Sequence, residues 1–222
     1  MTDLKLYSYW RSSAAYRVRI ALALKGLDYE YVPVHLVRDG GEQRTPTYRR
    51  MNPGGRVPTL EVNGQYIYQS MAILEWLEEQ YPESPLLPGE PLPRAQVRGI
   101  SQLIVADIQP LQNLSVTQYL QGVAGWDEHK MSAWLSHWIT RGLTAVEEAL
   151  MALGGSGFAC GDAPTMADVC LVPQCYAARR FGVDPAQFPT IHRIEQLCQQ
   201  LPAFQQAAPE VQPDAETQVR PG

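Results

Sequence analysis

The sequence predicts an α/β first half followed by an all-helical second half. Three observations predict it. Strand and helix patterns alternate over residues 4–81. Five prolines (82, 85, 88, 91 and 93) then crowd one short stretch, which reads as a stiff, extended linker. Beyond that stretch only helical periodicity is found. The expected boundaries are an α/β domain at 1–82, a linker at 83–93 and a helical domain at 94–222.

The elements follow in order. Leu4-Lys5-Leu6-Tyr7 alternates as a strand does. Tyr16, Ile20, Ala23 and Leu24 recur at helical spacing, and Gly26 is a stop. Tyr29 to Val34 alternates again. Val57 to Val62 and Gln65 to Tyr68 flank Asn63-Gly64, the pair that supplies the two positive φ angles of a type I′ hairpin turn. Ser70 is expected to cap a helix carrying Met71, Ile73, Leu74 and Leu77, which ends at Tyr81-Pro82. The order is β-α-β, an irregular stretch, then β-β-α. In the second half Arg94–Leu120, Trp126–Leu153, Met166–Phe181 and Ile191–Gln200 read as helices, and the tail from Ala208 reads as frayed.

Composition narrows the function. The chain has 222 residues, 45% of them hydrophobic, enough to build one large core or two small ones. Its net charge of −5 argues against nucleic acid as partner. No apolar run reaches membrane-helix length, and the first residues lack the apolar stretch of a secretion signal, so a cytoplasmic protein is expected. Cys160, Cys170, Cys175 and Cys198 form no CxxC, which suggests reduced thiols and no metal site. His35, His129, His137 and His192 lie in no constellation with a nucleophile. Trp134 and Trp138, four apart, read as core, and Tyr7 as strand core.

Three segments can carry chemistry. Ser12 and Ser13 stand where a strand gives way to a helix, a place with free N–H groups and partial positive charge. There a hydroxyl either caps the helix or donates to an anion, and both readings fit. Val57-Pro58 precedes a strand, where proline has no ladder bond to lose. A cis bond would leave the Val57 N–H and C=O for an extended peptide ligand. Gln69-Ser70 opens the next helix, suited to a carboxylate or to plain capping. In a β-α-β-β-β-α chain all three converge on one edge of the sheet.

Residues 12–26, SSAAYRVRIALALKG, resemble the signature of the zeta-class glutathione transferases, in which Ser-Ser-Cys precedes an aromatic residue and Arg-Val-Arg-Ile-Ala-Leu. Further likeness lies in Asp39-Gly40-Gly41-Glu42-Gln43, Asn52-Pro53, Arg56-Val57-Pro58-Thr59-Leu60, the run from Ile108 to Ser115, the run from Ala167 to Gln174, and Arg180-Phe181. Thr165 and Asp168 match a capping box whose role is folding. The resemblance covers about residues 4 to 213. It implies a thioredoxin-like glutathione-binding domain, an all-α substrate domain, a cis Val57-Pro58 bond and a homodimer.

The resemblance also implies roles. Ser12 matches the catalytic serine beside the glutathione sulfur, and Ser13 helps close the site. Gln43, Val57, Gln69 and Ser70 match glutathione contacts. Gln109 and Asn113-Leu114-Ser115 match second-domain residues at the site. Arg11 and Arg180 match basic residues that take substrate carboxylates. Arg17 and Arg19 are expected in intramolecular salt bridges. Ala14 replaces the class cysteine, which removes a thiol without touching the sulfur of glutathione.

The implied reaction is cis-trans isomerisation of a keto acid, maleylacetoacetate, in aromatic catabolism. A thiolate added to a conjugated cis double bond makes it single, and rotation and thiolate loss then give the trans isomer. Maleylpyruvate is the alternative substrate. General transfer or α-haloacid dehalogenation is an alternative of the same fold. A non-catalytic binding module is the alternative of another class, against which Ser12, Val57-Pro58, Gln69 and Ser70 all weigh.

Overall fold

The computed structural model describes residues 3–155 and 157–216. The chain parts into two compact units, one of Met1–Pro85 with Leu201–Gly222 and one of Leu86–Gln200.

The first unit opens with β1 (Leu4–Ser8), α1 (Ser13–Leu24) and β2 (Glu30–Pro33). Two single-turn helices, Arg38–Gly40 and Glu42–Arg44, lead to α2 (Pro46–Met51). The hairpin β3 (Thr59–Val62) and β4 (Gln65–Tyr68) precedes α3 (Ser70–Gln80). The sheet order is β2-β1-β3-β4, with β1 parallel to β2 and antiparallel to β3. Asn63 and Gly64 both have positive φ, as a type I′ turn demands. Leu4 and Leu6 alternate into the core with exposed-side partners between them, so one face of β1 is apolar.

Helix α1 departs from the expected stripe. Every residue from Ala15 to Leu22 is buried, because α1 lies against α3 and also against a helix from the end of the chain, α9 (Pro202–Ala207). Its end is a Schellman motif, in which Leu27 N–H donates to Leu22 C=O at 2.9 Å and Gly26 N–H to Ala23 C=O at 3.1 Å. The cap of α3 is Gln69, at φ 72°, and not Ser70, which is the first helical residue.

The chain beyond Ala208 is not frayed up to Glu216. Asp214 accepts from the Trp10 N–H at 3.0 Å and from the Tyr31 hydroxyl at 2.6 Å, so partners about two hundred residues away in sequence order it. It belongs with the first unit, whereas the linear reading put it in the helical half.

The second unit holds α4 (Pro91–Gln102), α5 (Leu114–Gly122), α6 (Glu128–Leu153), α7 (Met166–Arg180) and α8 (Pro189–Gln199). Helix α4 begins inside the expected linker, with Pro91 at a first-turn position where a missing N–H is harmless. The single helix expected over Arg94–Leu120 is broken into α4, a π turn (Leu103–Ile108), a 3-10 turn (Gln109–Gln112) and α5. Pro110 and the Asn113 cap end the run. At Gly142 on α6 a Cβ would stand 2.2 Å from Ile108 Cγ1, so only glycine lets the π turn sit this close. Met131, Leu135, Ile139, Leu143, Val146 and Leu150 form the buried stripe of α6, whose first turn is capped by Asp127.

Candidate active site

Strand register brings three loops to one end of the sheet. Tyr7 pairs with Thr59, and Thr59 pairs with Tyr68. The chain leaving β1, the chain entering β3 and the chain leaving β4 therefore lie side by side. These loops carry Ser12, Val57-Pro58 and Gln69-Ser70. The starts of α1 and α3 point to the same end, with the N–H excess of both.

Ser12 is the N-cap of α1, and its Oγ accepts the Ala15 N–H at 3.2 Å. The hydroxyl is half-buried, so its proton remains available to an anion. Ser13 is the first helical residue and is also half-buried. Arg11 lies over the Trp10 ring at 5.2 Å. Burial pushes the Tyr7 phenol up, so it keeps its proton, but that proton is committed to Glu61 at 2.8 Å and offers no competing donor.

The Val57-Pro58 bond is cis. Among the described residues neither the N–H nor the C=O of Val57 makes a hydrogen bond. The segment around it is braced: the Tyr48 hydroxyl and Asn52 Nδ2 both donate to the Arg56 carbonyl at 2.8 Å, and both reach Thr59 Oγ1. Burial raises the Tyr48 phenol to about 12, so it stays a donor at physiological pH. Asn52-Pro53 stood out only as a matching motif in the sequence, and its work is this brace.

Gln43 is buried in the Glu42–Arg44 turn. Its Nε2 donates to the Leu36 carbonyl at 3.1 Å, and its buried Oε1 has no hydrogen-bond partner. A Cβ at Gly41 would lie 2.6 Å from that oxygen, so glycine is required for the carboxamide to fold back here. Ser70 is buried and accepts from Arg17 Nη1 at 3.2 Å. Gln69 stays exposed. Arg17 thus places a guanidinium beneath the start of α3. Arg19 bonds the oxygens of Ser8, Trp10 and Ala207 at 2.9–3.2 Å, so hydroxyl and carbonyl oxygens take the place of the expected carboxylate.

The remaining predicted residues belong to the second unit. Gln109 opens the 3-10 turn, Asn113 caps α5 by accepting from the Ser115 N–H at 3.0 Å, and Leu114 is the first residue of that helix. The buried pair Gln112 and Gln174 exchange two hydrogen bonds, each Nε2 donating to the other's Oε1 at 2.9 and 3.2 Å, and fasten the turn to α7. Arg180 ends α7, exposed, stacked on Phe181 at 4.8 Å. Its neighbour Arg179 pairs in bidentate fashion with the buried Glu195. Burial pushes the Cys175 and Cys198 thiols up, which makes them poor nucleophiles. Among the described residues no three His, Cys, Asp or Glu side chains could hold a metal, and no helix is long and apolar enough to cross a membrane.

An orphaned acceptor at Gln43 and an unpaired peptide unit at Val57 suit a peptide-like ligand. The hydroxyls at two helix starts suit its anionic groups. Glutathione has both kinds of group, so the residues fit it.

Comparisons with known proteins agree. The glutathione S-transferase N-terminal domain family matches residues 11–80. A maleylacetoacetate isomerase of Pseudomonas aeruginosa is 52% identical over 212 residues, spanning 95% of this chain and 98% of its own. The holo structure of a maleyl pyruvate isomerase, described as a bacterial zeta-class glutathione S-transferase, superposes with a TM-score of 0.92 at 43% identity, over 96% of this chain and all of the other. A maleylacetoacetate isomerase of Anaeromyxobacter dehalogenans, with glutathione bound in its active site, has a TM-score of 0.85 at 48% identity, over 97% of this chain and 99% of its own.

Proposed function

We infer the activity from the family: the chain belongs to the zeta-class glutathione transferases, among the maleylacetoacetate isomerases, and is a glutathione-dependent cis-trans isomerase. Its substrate is maleylacetoacetate, converted to the trans isomer fumarylacetoacetate. The observation that carries the reading is the meeting of Ser12, the unpaired Val57 peptide and Ser70 at one sheet end, in a chain 52% identical to such an isomerase.

When bound, glutathione supplies the thiolate whose addition and loss free the double bond to rotate. The protein has three tasks. The first is to keep the sulfur ionised. An ordinary thiol has a pKa near 8.5, which a helix start and a donated hydrogen bond lower. The N–H groups opening α1 and the hydroxyl of Ser12 do this on our reading, with Ser13 closing the site. The second is to hold the peptide. Val57 pairs with its backbone, Gln43 meets a polar group along it, and Gln69 and Ser70 take the γ-glutamyl end. The guanidinium of Arg17 under Ser70 favours the carboxylate there. Gln109, Asn113, Leu114 and Ser115 are assigned to the same ligand by resemblance to the class. The third is to anchor the dianionic substrate, assigned to Arg11 and Arg180, whose planar forks match carboxylates.

We also assign a homodimer and a cytoplasmic location. The edge strand β4 leaves Tyr66 and Tyr68 exposed, which supports an assembly surface. The four cysteines form no disulfide, which suits a reducing compartment. Light scattering that finds monomers at micromolar concentration overturns the dimer.

The activity is tested by following maleylacetoacetate and maleylpyruvate side by side, with and without glutathione. Glutathione-dependent turnover with the higher kcat/KM for maleylacetoacetate is expected. A higher kcat/KM for maleylpyruvate reassigns the substrate, and turnover without glutathione removes the mechanism.

A further inference from the structure

The backbone of Trp10 is gripped on both of its polar groups. Its N–H donates to Asp214 Oδ2 at 3.0 Å, and its C=O accepts from Arg19 Nη2 at 2.9 Å. Two residues later the Ser12 N–H returns to the Tyr9 carbonyl at 2.9 Å. The Tyr9–Ser12 loop is therefore a closed turn held from two sides. Both grips reach the end of the chain. Asp214 lies in it, and Arg19 Nε donates to Ala207 C=O at 3.0 Å. The other Asp214 oxygen accepts from the Tyr31 hydroxyl at 2.6 Å, so β2 orients the carboxylate. Ala215 packs on the apolar cluster of Tyr9, Trp10, Val34, Tyr48 and Val57.

We propose that residues 207–216 are a positioning strap for Ser12, in which Asp214, together with Arg19, fixes the Tyr9–Ser12 loop and so keeps the serine hydroxyl aimed at the ligand sulfur. The inference rests on the role given to Ser12 above. Arg19 is only 1% exposed, and an apolar side chain would pack α1 there without the cost of burying a guanidinium. What the guanidinium adds is a simultaneous hold on the β1–α1 loop and on the returning chain. A hydroxyl that stabilises an anion needs such a hold, because a displacement of about 1 Å can cost roughly a hundredfold in rate.

The test uses the full chain with glutathione bound, and reads the ultraviolet thiolate absorbance against pH together with steady-state kinetics. In Asp214→Ala the thiolate midpoint rises by about half a pH unit or more, and kcat falls about tenfold while KM for glutathione stays within about twofold. Asp214→Asn keeps an acceptor for the Trp10 N–H and recovers most of the loss. Tyr31→Phe removes one orienting bond and shifts the midpoint less, in the same direction. If Asp214→Ala does not fold, the other two variants carry the test. An unmoved midpoint and kcat in folded variants that merely melt earlier overturn the strap. Ser12→Ala, measured alongside, separates the two readings. If it leaves the midpoint in place, the serine assignment fails and the strap with it. If it shifts the midpoint and Asp214→Ala does not, the strap alone fails.

Discussion

Two helix starts in this molecule use the same chemistry to opposite ends. At the start of α7, Thr165 and Asp168 form a reciprocal capping box that is wholly buried. Asp168 accepts from the Ala159 N–H at 2.8 Å, the Thr165 N–H at 2.7 Å and the Thr165 hydroxyl at 2.8 Å. At the start of α1, Ser12 accepts a single N–H, no acid stands in the first turn, and the hydroxyl stays half-exposed. The first start is buried, with its acid fully bonded and the Met166 N–H on the Leu86 carbonyl, and serves the fold. The second leaves donors unspent, in a place where an anion can take them. What separates a cap from a site is how much hydrogen-bonding capacity remains after folding.

The largest effect should come from the saturated start. Asp168→Ala orphans the buried Ala159 and Thr165 N–H groups, at about 1–3 kcal/mol each, and should lower stability by roughly 3 kcal/mol or more. Denaturant titration checks it, and turnover per folded molecule should be unchanged. Ser12→Ala should show the reverse split. It loses about 1 kcal/mol of capping in denaturant titration, yet isomerase turnover falls about a hundredfold because a bond to an anion worth about 1.5–3 kcal/mol is gone. Equal losses of stability and turnover at both positions would erase the distinction.

How much of this was legible in the sequence follows from where each signal resides. The hairpin was legible because Asn63-Gly64 is a local turn signal, and the α7 box because its two members are three residues apart. Ser12 and Ser70 were legible as hydroxyls at a helix start, though local pattern could not say that Gln69, at positive φ, would be the cap. The split after Gln102 was not legible, since it depends on Ile108 settling against Gly142 of another helix. The ordered tail was hidden for the same reason. Pro, Gln, Asp and Glu look frayed in sequence, and only the fold brings Asp214 to Trp10 and Tyr31. Arg17 and Arg19 were read as salt-bridge cations because nothing local shows that α1 is covered on both sides and that neutral oxygens would meet Arg19 there.

Arg180 gives a smaller and more selective effect. Arg180→Ala should raise KM for the keto acid about tenfold, the loss of one charge-assisted contact, and leave glutathione affinity alone. Arg180→Lys should recover part of it, since a point charge cannot make the forked contact. An unchanged KM with an earlier melt would give Arg180 a structural role, like that of Arg179.

The smallest effect lies at the end of the chain. His35 Nδ1 accepts from the Val37 and Arg38 N–H groups at 3.2 and 2.7 Å, which leaves Nε2 to donate to Glu216 at 2.9 Å. That bond holds the Glu216 carboxyl below its usual range. The pair therefore stabilises fully above the ordinary glutamate range and loses its effect as pH falls through the depressed value. Glu216→Gln should melt slightly earlier than the parent near neutral pH and together with it in acid. A gap that persists in acid would remove this hydrogen bond as its source.

The central claim is that the Ser12 hydroxyl, left open by the fold, keeps the glutathione sulfur ionised. Its most direct test is a pH titration of the thiolate absorbance of bound glutathione in the parent and in Ser12→Ala. The account predicts a midpoint well below that of free glutathione in the parent and about one to two units higher in the variant, matching a bond of about 1.5–3 kcal/mol. Superimposable titrations would show that Ser12 only caps its helix.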